Sequence, residues 1–162
     1  MNYFDGMSTP IGRIHIVVSD EALTHIYFPT DAWSEEYVRK SKHPLIVAAK
    51  AQLAEYFTGE RKTFDLPLDP KGTVFQKRAW NVLRKIPYGK TISYTEEAKW
   101  MKNPLSVRAV GSANGKNPLP IIIPCHRVVA KDGGLGGYSG GLKCKAVLLH
   151  LEQKYSLDMM NK

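Results

Sequence analysis

Cysteine is scarce in this chain, with two in 162 residues, Cys125 and Cys144. Two thiols make no disulfide framework and suit a reducing compartment. Read as metal ligands, Cys125-His126 and Cys144 with His150 match no usual zinc spacing, so no metal is expected, and no motif calls for a cofactor. Long apolar runs are missing too. Nothing approaches the roughly 20 residues of a membrane span, and "MNYFDGMSTP" lacks the basic-then-apolar pattern of a signal peptide. The expectation is a cytoplasmic monomer with no membrane partner. Internal repeats and low-complexity stretches are absent. The hydrophobic content of 43% with 23% charged residues excludes a disordered chain.

Acidic residues are scarce in one half only. Residues 1–69 hold 7 Lys/Arg and 10 Asp/Glu, whereas residues 70–162 hold 16 Lys/Arg and 5 Asp/Glu. The net +8 charge is therefore concentrated in the second half. A basic surface of that kind fits a polyanion partner, though a solvated basic face gives the same count.

The first part, residues 1–69, reads as a small α/β unit. "IGRIHIVVS" sets Ile14, Ile16 and Val18 on one face, and "ALTHIYF" follows as a hairpin partner. "PLIVAAKAQLAEYFTGE" reads as a helix with Pro44 at its start and Gly59 as its stop. "LPLDPKG" forms the boundary. The second part, residues 70–162, opens with a capping box, Thr73-x-x-Gln76, before Phe75, Ala79, Val82, Leu83 and Ile86 at helical spacing. A short helix over 93–102, a turn at "NP", and a helix from about Leu105 carrying Arg108 and Lys116 suggest a helix-turn-helix. A last helix, "LKCKAVLLHLE", is expected to end near Glu152.

Between them lies "PIIIPCHRVVAKDGGLGGYSGG", residues 120–141. The Ile121–Ile123 run reads as a buried strand ended by Pro124, holding a thiol at the edge of a pocket. A nucleophilic thiol needs a base or positive surroundings, because the thiolate is the reactive form. Cys125 has His126 and Arg127 beside it, and Glu152 is available to orient an imidazole, so the three could form a triad-like relay. On an extended strand Cys125 and His126 would face opposite ways, requiring a bend or a bridging water. His15, His25, His43 and His150 have no comparable company.

"NPLPIIIPCHRVV" followed by "GGYSGGLKCKAVLLHLE" resembles the active-site region of methylated-DNA–protein-cysteine methyltransferases, the 6-O-methylguanine DNA repair proteins. The likeness extends upstream through "RAVG" and "ISY" to the capped helix at Phe75, covering most of residues 72–155. It implies a ribonuclease H-like α/β domain before a mainly helical domain with a winged helix-turn-helix. It implies irreversible alkyl transfer from double-stranded DNA containing alkylated guanine to Cys125. His126, oriented by Glu152, would activate a water that maintains the thiolate. Tyr94 would assist base rotation and protonate the leaving guanine. Arg108 would fill the vacated stack, and Asn117 would be the hinge after the recognition helix. Tyr138 and Ser139 would close over the flipped base, while main-chain groups near Cys125 and Val128 read its polar edge.

Two features depart from that pattern. Ser106 and Val107 stand where small residues are expected, and Glu96 and Glu97 lie in a region suited to DNA, pointing, on this reading, toward solvent or the first domain. Two rival readings stay open. A non-catalytic protein that flags alkylated DNA would lack the nucleophile, and Cys125 argues against it. A Cys-His-Glu hydrolase would not need the basic half or Arg108.

Overall fold

The computed structural model describes residues 1–33, 36–138 and 140–160. The chain divides into two compact units, Met1–Lys71 and Gly72–Lys162.

In the first unit β1 (Tyr3–Thr9), β2 (Gly12–Val18), β3 (Leu23–Tyr27) and β4 (Val38–Arg39) form one sheet in the order β3-β2-β1-β4. β2 pairs antiparallel with both neighbours, and β4 joins β1 in parallel. Ile14, Ile16 and Val18 alternate into the core, as a half-buried strand requires. α1 (Pro44–Phe57) packs against β1 and β2, burying Ile46, Ala49 and Leu53. His43 caps it by accepting the Leu45 N–H at Nδ1. The hairpin expected from the sequence is present, but β1 is an additional strand that it did not include. β1 carries Asp5, a buried carboxylate paired with Arg39 and Lys50.

In the second unit α2 (Val74–Leu83) starts with both capping-box bonds: Gln76 N–H to Thr73 Oγ1, and Thr73 N–H to Gln76 Oε1. α3 (Tyr94–Trp100) and α4 (Val107–Gly115) make the helix-turn-helix. Ala79, Val82, Ala98, Met101, Val110 and Ala113 form the core between the three helices. Trp80 pins α4 by donating from Nε1 to the Ala113 carbonyl at 2.8 Å. Val107 packs on this core, so its bulk does not lie on the outer face of α4. β5 (Ile92–Ser93) and β6 (Val128–Val129) pair in parallel, and α5 (Leu142–Met160) closes the unit.

Three expectations are corrected. The Ile121–Ile123 run is a chain of turns rather than a strand, because "NPLP" and Pro124 remove donors and fix φ on both sides. α5 continues past Glu152 to Met160, since no glycine or proline follows to stop it. Glu97, expected to point to solvent or the first unit, is instead fully buried and bonded to Asn114 of α4. Only Glu96 is exposed.

Candidate active site

The turns that replace the expected strand are fastened by Asn117, which follows α4. Its Nδ2 donates to the Ile123 carbonyl at 2.8 Å, and its Oδ1 accepts the Leu119 N–H at 3.0 Å. These bonds surround Ile121, a β-branched residue at φ 74°, a left-handed conformation that such side chains adopt only under constraint. Past Pro124 the chain forms a 3-10 turn, Cys125–Arg127. That turn supplies the bend which an extended strand would have lacked.

Cys125 is 5% exposed and borders a cavity of about 390 Å³. Tyr94, Gly137 and Tyr138 line it, with Gly111, Asn114 and Gly115 of α4. Burial pushes the Cys125 thiol up; hydrogen bonding from Asn117 and Tyr138 and the charge of Lys145 oppose that shift. Tyr94 donates its hydroxyl proton to the Gly137 carbonyl at 3.2 Å. Its pKa is raised, first by burial and then by Cys125 and Glu97. Gly136 lies against the Tyr94 ring: a Cβ there would sit 3.0 Å from Cε2, and its φ of 70° also favours glycine.

Behind the thiol lies a buried ionic cluster. His126 Nε2 and Glu152 Oε2 are 2.6 Å apart, and both side chains are excluded from water. Arg127 donates from Nε to Glu152 Oε1 at 2.8 Å and from Nη2 to Oε2 at 3.1 Å; its Nη1 reaches the Ile86 carbonyl at 2.7 Å. Burial alone would raise Glu152, but hydrogen bonds and charges from His126 and Arg127 hold it down at about 2. Burial shifts His126 toward the neutral imidazole, with the hydrogen bond and charge of Glu152 opposing that shift. With Nε2–H donating to the carboxylate, Nδ1 carries the lone pair, and among the described residues it has no hydrogen-bond partner. A base with its open nitrogen next in chain to a thiol can take a proton.

The remaining expected residues are distributed as follows. Arg108 is exposed on the first turn of α4, on a face shared with Ala109, Ser112, Gly115 and Lys116. Val128 is buried in β6; its N–H donates to the Cys125 carbonyl, and its own carbonyl accepts from Lys145 Nζ at 2.7 Å. Ser139 lies outside the described residues.

Sequence reasoning missed Lys145 and Asn114, and it placed Arg127 beside the thiol without its bonds to Glu152. Lys145 is fully buried, donates also to the Gly137 carbonyl at 3.1 Å, and lies 5.9 Å from the Tyr94 and Tyr138 ring centroids. The signal was available: Lys145 and Glu152 share the otherwise apolar Leu148 stripe of α5, where a charge demands a partner.

The family model for the 6-O-methylguanine DNA methyltransferase ribonuclease-like domain matches residues 2–70, and the model for that family's DNA-binding domain matches residues 74–154. The chain belongs to the 6-O-methylguanine DNA methyltransferase family. It is 44% identical to the constitutive methylated-DNA–protein-cysteine methyltransferase of Bacillus subtilis over 159 residues, covering 94% of this chain and 96% of that one. The Haemophilus influenzae methylated-DNA–protein-cysteine methyltransferase is 43% identical over 159 residues, covering 96% and 89%. The crystal structure of Mycobacterium tuberculosis OGT in complex with DNA superposes with a TM-score of 0.89 at 39% identity, covering 94% of each chain. The fold expected from the resemblance is thus the fold of this family.

The Glu152 cluster carries a stability prediction. A carboxyl held at about 2 instead of the ordinary 4.5 contributes stability that is present above pH 4.5 and is lost as pH falls through about 2. Glu152→Gln leaves the Arg127 charge buried without its partner, so urea unfolding at pH 7 should show a loss of about 3 kcal/mol. That difference should shrink steadily between pH 5 and pH 2; a constant difference would show that the carboxylate charge is not what stabilises the cluster.

Proposed function

We propose that the protein repairs 6-O-alkylguanine in duplex DNA by moving the alkyl group irreversibly onto Cys125. Family membership supports DNA repair alkyl transfer in general. The observation that carries the finer reading is a thiol at a cavity edge with a carboxylate-anchored imidazole next to it in the chain.

An alkyl group on guanine's pairing edge is out of reach inside a duplex, so the nucleotide must leave the stack, at a cost of a few kcal/mol. α4 is suited to lie against DNA, because its exposed face is made of small residues flanked by Arg108 and Lys116. Arg108 fills the space the base leaves. Tyr138 and Ser139 belong to the glycine-rich segment that closes over the base. Main-chain groups of Cys125 and Val128 read its edge; the Val128 carbonyl has a second lone pair beside the one used by Lys145.

His126 Nδ1 takes the thiol proton through a water, and Glu152 stabilises the imidazolium that forms. Sγ attacks the alkyl carbon, the C–O6 bond breaks, and its electron pair stays on guanine, which is protonated from the Tyr94 hydroxyl. The thiol's proton replaces the one Tyr94 gave up. One thiol and one ether thus become one thioether and one unmodified guanine. Lys145 lowers the cost of negative charge on sulfur and supports the carbonyls that carry the loop. A thioether is not returned to thiol by any of the described residues lining the cavity, so each chain acts once.

With excess duplex containing 6-O-methylguanine, intact-protein mass spectrometry should show one added methyl group, on the peptide containing Cys125. Cys125→Ser should retain DNA binding and transfer nothing, while Cys144→Ser transfers normally. Many methyl groups removed per chain, or label on Cys144, would falsify the single-use reading; binding by the wild type without transfer would favour a lesion-flagging protein.

Arg108→Ala should slow repair of duplex DNA at least tenfold more than reaction with the free alkylated base. The slope of log affinity against log salt should fall by only about one phosphate contact. Equal slowing on both substrates would mean that Arg108 does not act through the stack.

A further inference from the structure

The segment after α2, residues 86–89, meets the buried ionic cluster at three points. The Ile86 carbonyl accepts Arg127 Nη1 at 2.7 Å, Arg127 Cζ lies over the Tyr88 ring at 5.6 Å from its centroid, and the Gly89 N–H approaches Glu152 Oε1 at 3.4 Å. Gly89 holds φ 79°, and a Cβ there would collide with the Ser156 side chain, so the segment lies tight on α5 one turn past Glu152. Arg127 spends Nε and Nη2 on Glu152 and Nη1 on Ile86. Its delocalised charge is left for the ring, and an aromatic face attracts a guanidinium most strongly where water is kept away. Arg127 is buried and Tyr88 half-buried, which meets that condition. Glu152 Oε2 is shared: it accepts from Arg127 Nη2 at 3.1 Å and meets His126 Nε2 at 2.6 Å. Whatever tightens Arg127 on that oxygen leaves less of the carboxylate charge to keep a proton on His126.

We propose that Tyr88 is a positioning residue for alkyl transfer: its ring holds the Arg127 charge on Glu152 and so limits how firmly Glu152 keeps a proton on His126. This rests on the reading of His126 as the base that accepts the Cys125 proton. Tyr88 is not among the described residues that line the cavity, so it reaches the thiol only through Arg127, Glu152 and His126. A base already protonated at rest takes nothing from a thiol. Without the ring, Glu152 holds the His126 proton more firmly, and the base is lost at a higher pH. The charged groups that act on the imidazole are Glu152, which raises it, and Arg127 and Lys145, which lower it. Tyr88 itself is held up at about 12, by burial first and then by Glu152, with Arg127 opposing and Tyr155 adding, so its own proton stays in place near neutral pH.

The test is the pH dependence of single-turnover methyl transfer from duplex DNA containing 6-O-methylguanine, read beside the NMR titration of the His126 imidazole in unreacted protein. It compares the wild type, Tyr88→Leu, Tyr88→Phe, and the Phe variant with a fluorinated ring, which keeps the shape of the ring but weakens its face. In Tyr88→Leu the acid limb of the rate and the His126 midpoint should both move up by about one pH unit, the size of a desolvated cation–π contact. The alkaline plateau should be kept. Tyr88→Phe should retain the wild-type limb and midpoint, and fluorination should move both in the direction of Tyr88→Leu. A merely structural loss lowers the rate at every pH alike and leaves both midpoints in place. An unmoved His126 midpoint in Tyr88→Leu, or an equal movement in Tyr88→Phe, overturns the proposal and leaves His126 as the base. Should Tyr88→Leu not fold, the two Phe variants decide the matter, and equal midpoints overturn the proposal. A midpoint that moves while the acid limb stays would overturn the reading of His126 as the base, and this proposal with it.

Discussion

The Glu152 carboxylate is the point on which the second unit's site depends. It sits on α5, fully buried, and draws in His126 and two of the three donor nitrogens of Arg127 from the 3-10 turn, with the Gly89 N–H at 3.4 Å. Removing such a charge from water costs several kcal/mol, which good geometry and satisfied hydrogen bonds can offset. Arg127 meets that condition with a two-pronged bond and fixes the Ile86 carbonyl as well. Three segments distant in sequence are thereby held at one carboxyl group. The turn that carries Cys125 has no regular secondary structure to stiffen it, and this cluster together with Asn117 does so instead.

Under the proposed function, that constraint is what lets a thiol this buried react. At rest burial keeps the proton on sulfur, so an exposed, indiscriminate thiolate does not accumulate. Burial shifts His126 toward its neutral form, one nitrogen is bonded to Glu152, and under the proposed function the other accepts a proton. Lys145 adds a buried positive charge in the same region and ties Val128 and Gly137 together through their carbonyls. Under the proposed function, such an arrangement conserves a nucleophile that can be used only once.

Much of this was legible in the sequence, for reasons that differ by residue. The capping box at Thr73, the period-two pattern of Ile14, Ile16 and Val18, and the helix pair around "NP" are local signals, and local physics set them. The "PCHRV" stretch pointed to the family because thiol, imidazole and guanidinium were contiguous. What was not legible depended on long-range partners. An isoleucine triplet reads as a strand unless the bonds from Asn117 are known. Glu97 reads as a surface charge on a short helix until Asn114, seventeen positions on, is seen across from it. Lys145 counted only toward the basic second half, and Arg127 was seen beside the thiol but not bonded to Glu152; both are buried on partners from other elements. β1 was overlooked because its apolar alternation is interrupted by Asp5 and Gly6, each buried in its own right.

The central claim is that Glu152, acting through His126, makes the buried Cys125 thiol reactive near neutral pH. The direct measurement is the rate of methyl transfer to Cys125 from labelled duplex DNA as a function of pH, for the wild type and Glu152→Gln, over the range in which both remain folded. The account predicts that the variant is slowed at least tenfold near pH 7 and approaches the wild-type rate at alkaline pH, where the thiolate forms without a base. Superimposable pH–rate profiles for the two proteins would contradict it.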